Sequence, residues 1–193
     1  VDDMESYDPS VNRIGDTWLD GWVNYTGSEV SLGSLTDSPP SPVKGGAKSM
    51  IYAYDNGDSF GYGLEYYSEI ERTFDTPQDW TEADVKVLTL YFYGDPNNDA
   101  NATEQMYVGL EDSSGEGSYA EVKYGYYSDE DMNDIKVDDW QEWNIGLSDF
   151  AGVTLEQVKK VYIGLGIRGN PNPSGTPGGL GTVYFDDIRL YTP

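Results

Sequence analysis

Short runs of alternating apolar and polar residues recur along the chain, separated by Gly, Pro, Asn and Asp. In the segment 87–93, Leu88, Leu90 and Phe92 fall on one side of an extended chain and polar or tyrosine residues on the other. Segments of strand length with this character are 48–54, 65–74, 85–93, 105–111, 119–125, 141–147, 159–167 and 182–191. This pattern predicts many short antiparallel strands joined by turns.

Helical patterns are few. The segments 149–152 and 154–158 each suit a single turn, and the acidic stretch 129–139 has no clear apolar period, so we interpret it as a solvated loop. Many strands and almost no helix predict an all-β fold, a two-sheet antiparallel β-sandwich of the jelly-roll type. We find no linker and no fixed repeat, and therefore predict a single domain over residues 1–193.

Composition narrows the possible functions. Aromatic residues make up 14% of the 193 residues, which is typical of a folded chain rather than a disordered one. The net charge of −24 disfavours binding to nucleic acid or to an anionic membrane surface, and no apolar stretch is long enough to insert into a membrane. Because the chain starts at Val1 rather than Met, we interpret it as the product of leader cleavage or as an excised domain, and predict secretion.

Catalysis has little support in the sequence. The chain has neither His nor Cys, which removes the commonest general base and the nucleophile–histidine arrangements. A pair of carboxylates suited to glycoside hydrolysis cannot be singled out among 35 acidic residues. We therefore predict that the protein is not an enzyme.

Acidic residues lie inside β-prone segments at both ends of the chain, namely Asp3 and Glu5 near the start and Asp186 and Asp187 near the end. A charge within a strand is costly unless it is neutralised, and a hard cation shared by the first and last strands would neutralise these four. The sequence thus predicts a structural Ca²⁺ ion. The alternative is that these acids are solvated strand ends or partners in salt bridges.

Tyrosines are abundant at strand positions, with 17 in the chain. We place Tyr91, Tyr93, Tyr107 and Tyr162 on the non-core side of three successive strands. Aromatic rings with polar neighbours match the apolar faces and hydroxyl rim of a sugar. The candidate glycan-binding residues are Tyr54, Tyr67, Glu69, Tyr91, Tyr93, Tyr107, Tyr162 and Arg168. The alternative is that these tyrosines simply favour strands and cover a sheet.

Several motifs resemble the galactose-binding-like jelly rolls found among the carbohydrate-binding modules of large secreted bacterial proteins. They are the acidic start 3–7, the Gly-Gly strand 45–50, the segments 71–80, 140–150 and 161–164, and the Phe-Asp-Asp-Ile ending at 185–188. The resemblance implies a jelly roll that binds a polysaccharide or oligosaccharide. It also implies a calcium ion held by Glu5, Asp186 and backbone carbonyls near Gly45 and Gly46, with Asp3 and Asp187 as weaker ligands.

A second class of function stays open. A small acidic sandwich could be the structural subunit of an extracellular filament, adhesin or surface layer that self-assembles by strand addition or calcium-bridged contacts. The loops 94–99 and 169–173 could rim a sugar site or hold a second cation, although ordinary turn chemistry explains them equally well. Two glycosylation sequons, at Asn24 and Asn101, are weak signals.

Overall fold

The computed structural model describes residues 1–57, 66–100, 104–114, 118–169 and 178–192. The strands are β1 (Trp18–Leu19), β2 (Ser28–Ser34), β3 (Lys48–Asp55), β4 (Tyr67–Gln78), β5 (Val87–Tyr93), β6 (Met106–Asp112), β7 (Tyr119–Lys123), β8 (Trp140–Gly146), β9 (Val158–Gly166) and β10 (Leu180–Tyr191). One short α-helix, α1, spans Gly21–Asn24. The 3-10 turns are Ile14–Asp16, Glu82–Asp84, Met132–Lys136, Leu147–Asp149 and Leu155–Gln157.

The strands form two antiparallel sheets of five strands each. The front sheet has the order β1-β4-β9-β6-β7, and the back sheet has the order β2-β3-β10-β5-β8. Apart from β2–β3 and β6–β7, neighbouring strands are not consecutive in the chain, which passes repeatedly between the two layers, as in a jelly roll. The predicted all-β jelly-roll sandwich is confirmed.

The core lies between the sheets and follows from the alternation within the strands. On the back sheet, Leu88, Leu90 and Phe92 of β5 are fully buried, and on the front sheet Val108 and Ile163 are 1% exposed. Their neighbours on the other side of each strand point away from the core. Burying these side chains removes apolar surface from water at about 25 cal/mol per Å², which is the main favourable contribution to folding.

The predicted strand segments all contain an observed strand, with ends that differ by a few residues. Two strands, β1 and β2, are additional. The expected single turns near 149–152 and 154–158 correspond to short 3-10 turns. The interpretation of 129–139 as a purely solvated loop is wrong, since Met132–Lys136 forms a capped 3-10 turn and Ile135 is buried in the core.

The start of the chain is tied to its end by backbone pairing. The N–H and C=O groups of Asp2 exchange hydrogen bonds of 2.8 Å with those of Ile188 in β10. The Asp2 carboxylate accepts hydrogen bonds from Arg72, from the Trp18 indole and from the Tyr7 hydroxyl. An acidic residue does join the two ends, but Asp2 was not among the residues that the sequence singled out.

Candidate functional site

The outer side of the front sheet carries an ordered set of tyrosine, glycine and charged residues. Strand register places them in three rows, which are Glu69, Gly164, Tyr107 and Lys123, then Glu71, Tyr162, Gly109 and Glu121, then Thr73, Lys160, Glu111 and Tyr119. Arg168 follows β9 and lies over two of the rings. We call this set, together with Arg168, the tyrosine face.

Two glycines allow tyrosine rings to lie flat on this sheet. A Cβ atom at Gly164 would lie 2.7 Å from Cε1 of Tyr107, and one at Gly109 would lie 2.7 Å from Cε2 of Tyr119. Real Cβ atoms do not approach other atoms so closely, so each ring occupies the space that a side chain would take. Gly109 and Gly164 were not recognised in the sequence, although a glycine inside a strand is a signal of close approach.

Hydrogen bonds fix the tyrosine hydroxyls on this face. The Tyr107 hydroxyl donates to Oε2 of Glu69 at 2.7 Å, and the Tyr162 hydroxyl donates to Oε2 of Glu111 at 2.6 Å. The Tyr119 hydroxyl donates to Glu121 at 2.8 Å. Phenol–carboxylate bonds are charge-assisted and hold both partners in one rotamer. The rings are therefore preorganised.

Arg168 crosses the tyrosine face. Its guanidinium carbon lies 4.2 Å from the ring centre of Tyr119 and 4.8 Å from that of Tyr162, and its Nε donates to Oε2 of Glu69 at 2.8 Å. About a third of the Arg168 side chain stays exposed, whereas Tyr162 is 2% exposed beneath it. Because Arg168 stacks on two rings and pairs with a carboxylate, its guanidinium is a rigidly held hydrogen-bond donor on this face.

The Glu69 carboxylate is buried. It is 3% exposed, and burial raises its pKa above the ordinary glutamate value, while the nearby Arg168 charge lowers it by less. The same pairing raises the pKa of Arg168, against the effect of burial. Hydrogen bonds from Arg168 and from Tyr107 hold the Glu69 carboxylate in position, and Glu69 in turn holds Arg168.

The charge of the tyrosine face differs from that of the whole chain. The chain has 35 acidic and 11 basic residues, whereas this face brings four glutamates close to Lys123, Lys160 and Arg168. Lys160 pairs with Glu71 at 3.4 Å and Lys123 with Glu121 at 3.6 Å. The face thus offers both donors and acceptors at nearly balanced charge, which suits a hydroxyl-rich neutral ligand.

The short helix α1 borders the β4 edge of this face. Its Asn24 side chain donates to the carbonyl of Glu69 at 2.8 Å, which fixes the segment beside β4. Trp22 and Tyr25 on this segment are 75% and 72% exposed. Sequence reasoning did not select them, and the only available signal was a Trp beside turn residues. Exposed rings at the rim of a sheet are further candidates for stacking on a sugar.

The predicted single platform of Tyr91, Tyr93, Tyr107 and Tyr162 is wrong in its arrangement. All four lie on the outer sides of their strands, but Tyr91 and Tyr93 belong to the back sheet and Tyr107 and Tyr162 to the front sheet. They therefore lie on opposite surfaces of the sandwich. Alternation assigns a side chain to a face of its own strand, but not to a sheet.

The other predicted ligand residues are divided as well. Glu69 and Arg168 belong to the tyrosine face, and the half-buried Tyr67 begins β4 one row from Glu69. Tyr54 is only 2% exposed and belongs to the core cluster, so its placement in a surface site is incorrect. In β3, tyrosines occupy positions that face the core and aliphatic residues face outward. This is the reverse of the arrangement that we expected.

The back sheet carries its own aromatic set, which we call the aromatic row and define as Tyr184, Tyr93 and Trp140. The three residues are in register on β10, β5 and β8. Ring centres are 6.2 Å apart for Tyr184 and Tyr93 and 5.6 Å apart for Tyr93 and Trp140, and all three side chains are half-buried. In the next row, the Lys44 ammonium lies 4.5 Å from the ring centre of Tyr91.

Three of the four predicted calcium ligands meet at the Gly45–Gly46 turn. Oε1 of Glu5 accepts the N–H groups of Ala47 and Lys48, and Oδ2 of Asp186 accepts those of Lys44 and Gly45. Asp187 has a positive φ of 50° at a register shift of β10, and its Oδ2 lies beside Gly45. Asp3 is exposed and caps the N–H of Glu5 instead.

The carboxylates of Glu5 and Asp186 are already satisfied in part by backbone N–H groups. Oε2 of Glu5 and Oδ2 of Asp187 accept no hydrogen bond from the described residues, so they are the atoms with which a cation could interact. Within the described ranges, no group of three or more acidic side chains is placed to hold a metal ion. The donor chemistry suits Ca²⁺, but carboxylates alone would not complete its shell of six to eight oxygens.

The loop 94–99 has a structural role. Asn98 is 1% exposed, and its side chain bonds the carbonyls of Ile135 and Thr182 and the N–H of Thr182. Of the segment 169–173, only Gly169 is described, and the sequon at Asn101 also lies outside the described residues. None of the helices in the described part of the chain has the length and apolarity of a membrane span.

Comparison with known proteins identifies the fold. No protein-family model matches the chain, and no curated protein sequence matches it either. An exo-beta-agarase structure aligns with a TM-score of 0.61 and 13% identity over 97% of this chain and 24% of the agarase chain. A family 30 carbohydrate binding module aligns with a TM-score of 0.52 and 14% identity over 92% of this chain and 74% of that one.

The K2 cleaved adhesin domain of Lys-gingipain aligns with a TM-score of 0.51 and 13% identity over 99% of this chain and 98% of that domain. This chain thus corresponds to about a quarter of the agarase and to nearly all of the adhesin domain. At such low identities the likeness establishes architecture. The chain has the jelly-roll β-sandwich fold that carbohydrate-binding modules also have.

Proposed function

We propose that this protein is a secreted, non-catalytic domain that binds a neutral glycan on the tyrosine face. The observation that carries the proposal is the stack of Arg168 over Tyr119 and Tyr162 on a sheet whose rings are fixed by Glu69 and Glu111. Tyr107 and Tyr162 are buried beneath this surface, so what it offers a sugar is the Arg168 guanidinium, the half-buried Tyr119 ring and the charged groups around them. Sugars present apolar C–H faces to rings and hydroxyls to charged groups. The likeness to a carbohydrate-binding module supports the same reading.

Binding without reaction is the simpler use of these groups. The carboxylates of Glu69, Glu111 and Glu121 each accept a tyrosine hydroxyl, and that of Glu69 also accepts from Arg168. Carboxylates occupied in this way hold side chains in place rather than stand open to a substrate. A glycosidase requires two carboxyl groups that flank a bond in the substrate, one of them ready to donate a proton.

The proposed ligand is neutral rather than acidic. A protein with a net charge of −24 repels uronate and sulfate chains, and the near balance of charge on the tyrosine face gives them no compensating patch. Because the structural likeness includes an exo-beta-agarase, agarose is the first neutral polysaccharide to test.

Calcium belongs to the same proposal as a stabiliser of the fold. A Ca²⁺ ion beside Gly45–Gly46 would contact Glu5 and Asp187 and leave Asp186 to hold the turn through its N–H bonds. Waters and backbone oxygens would supply its other ligands. Its role is to join the first residues, the turn and the last strand, and it takes no part in glycan binding.

Affinity electrophoresis tests the proposal. Gels containing agarose, xylan, hydroxyethylcellulose or alginate should show retardation by at least one neutral polymer and none by alginate at low salt. Arg168→Ala should weaken binding by about 1–3 kcal/mol, as expected for a central contact residue. Arg13→Ala is the matched control, because Arg13 forms an exposed ion pair with Asp16 and is not part of the tyrosine face. Failure of every glycan to retard the wild type would overturn the proposal.

An adhesive or structural role is the second candidate, and the likeness to an adhesin domain favours it. In that role the protein would self-assemble through its sheet edges, which are β2 and β8 in the back sheet and β1 and β7 in the front sheet. Light scattering with and without Ca²⁺ distinguishes the two. A strictly monomeric protein under both conditions excludes assembly and leaves glycan binding.

A further inference from the structure

The aromatic row crosses three adjacent strands on the surface opposite the tyrosine face. Tyr184 is directly opposite Tyr93, and Tyr93 is directly opposite Trp140. The outer two residues are thus separated by two strand spacings, about 10 Å. That separation is close to a disaccharide repeat in an extended glycan, so two rings could contact alternate sugars of one chain.

The polar tips of these rings are not used within the described part of the chain. The hydroxyls of Tyr93 and Tyr184 and the Nε1 of Trp140 form no hydrogen bond there, although each side chain is half-buried. On the tyrosine face, by contrast, Tyr107 and Tyr162 donate to glutamates. Half-buried rings whose polar ends have no partner in the described part of the chain can offer a ligand both ring surface and hydrogen-bond donors.

Four aspartates, Asp37, Asp95, Asp138 and Asp139, lie close enough to act on the tyrosines of the row. Burial raises the pKa of Tyr93, and the neighbouring Asp138 and Asp139 raise it further. Burial likewise raises the pKa of Tyr184, with Asp95 and Asp37 adding to the effect. The row therefore has apolar ring surface at its centre and hydrogen-bond acceptors around it. Sugar hydroxyls are donors that match such a rim, and anionic ligands are excluded by it.

We propose that the aromatic row is a second glycan-contact surface, which binds one extended neutral polysaccharide chain. It lies on the other side of the sandwich from the tyrosine face, with the core between them. One domain would then contact two chains at once and link them. The linking rests on the proposed function of the tyrosine face, whereas binding at the row does not.

Matched strand variants test the row. Tyr184→Thr and Trp140→Thr remove a ring but keep a good strand residue, and each should weaken binding at the row about tenfold. Tyr191→Thr is the control, because Tyr191 is a 57% exposed tyrosine on the same strand but at its other end. Each variant is first checked by thermal unfolding. Titration calorimetry then uses agarose oligosaccharides and xylo-oligosaccharides, and turbidity of soluble hydroxyethylcellulose reports on linking.

The results separate the two surfaces. Loss of one of two binding steps in Tyr184→Thr and Trp140→Thr, together with loss of turbidity, supports the row and the linking. Loss of all binding in these variants, while Arg168→Ala binds normally, supports the row and overturns the site on the tyrosine face. Unchanged binding steps and unchanged turbidity in folded row variants overturn the second surface, whatever Arg168→Ala does.

Discussion

Gly164 and Gly109 are as important to the tyrosine face as the tyrosines, because they leave room for the rings of Tyr107 and Tyr119. Gly164→Ala should destabilise the fold by about 1–3 kcal/mol, since the new Cβ forces the Tyr107 ring off its site. The same displacement breaks the bond from Tyr107 to Glu69 and should weaken glycan binding. Urea unfolding and affinity electrophoresis measure the two effects.

Gly15→Ala provides the control for this prediction. Gly15 lies in a 3-10 turn, and a Cβ there would have no heavy atom within 4 Å. Its substitution should leave unfolding within about 0.5 kcal/mol of the wild type. Equal stability of Gly164→Ala and Gly15→Ala would show that the Tyr107 ring is free to move.

Glu69 gives the folded protein a distinct pH dependence. Burial raises the pKa of its carboxyl above the ordinary value of 4.5, so the folded state keeps a proton that the unfolded state has released. Stability therefore falls as pH rises from 4.5 through the folded pKa, and the loss is complete above it. In Glu69→Gln this contribution is absent, so its unfolding free energy should decline less than that of the wild type across this window.

Urea unfolding at closely spaced pH values tests this sign, with Glu29→Gln on the exposed side of β2 as the control. As pH rises, the free energy of unfolding of Glu69→Gln should increase relative to that of the wild type. Binding should also weaken in Glu69→Gln, because Arg168 loses the charge that holds it. Parallel stability curves for the variant and the wild type would contradict the raised pKa.

At the scale of elements, Asp2 holds the start of the chain against the last strand, and its carboxylate is buried. Asp2 lies with its side chain 5% exposed between Arg72, Trp18 and Tyr7 and accepts a hydrogen bond from each. Asp2→Ala leaves three buried or half-buried donors without their acceptor and should cost about 3 kcal/mol. Asp16→Ala, at the exposed pair with Arg13, should cost less than about 1 kcal/mol.

Chemical unfolding of both variants measures these costs. The backbone bridge between Asp2 and Ile188 should survive in Asp2→Asn, which keeps one acceptor, so its loss of stability should be intermediate. If Asp2→Ala unfolds like Asp16→Ala, the bridge alone holds the end of the chain.

The sequence predicts most strands because alternation in segments such as 87–93 and 159–167 is strong. It misses β1, which has two residues, and β2, whose serines and glycine give a weak apolar pattern. It also cannot assign β5 and β6 to different sheets, because pairing depends on long-range register and not on local alternation. This limit explains the incorrect single tyrosine platform. For the same reason the sequence does not reveal that Tyr119 belongs to this face, because its ring contacts Gly109 only when β6 and β7 are paired.

At the scale of the whole molecule, the acidic charge is distributed unevenly. The tyrosine face is almost balanced, while the aromatic row and the Gly45–Gly46 turn are surrounded by carboxylates. Asp186 is fully buried, and burial raises its pKa although the N–H groups of Gly45 and Lys44 lower it. Self-repulsion in such a chain opposes the compact state, so any bound cation that reduces it stabilises the fold.

Calcium should therefore raise the melting temperature if it binds at the Gly45–Gly46 turn, because an ion that binds only the folded state stabilises it by mass action. Saturation to about 100 times the dissociation constant would add about 2.7 kcal/mol. We expect chelator to lower the melting temperature of the wild type, and Glu5→Gln to remove most of that difference. Asp129→Asn, an exposed acid in the acidic stretch, should keep the full difference. A wild-type melting curve that chelator leaves unchanged would show that the N–H bonds to Glu5 and Asp186 hold the turn without an ion.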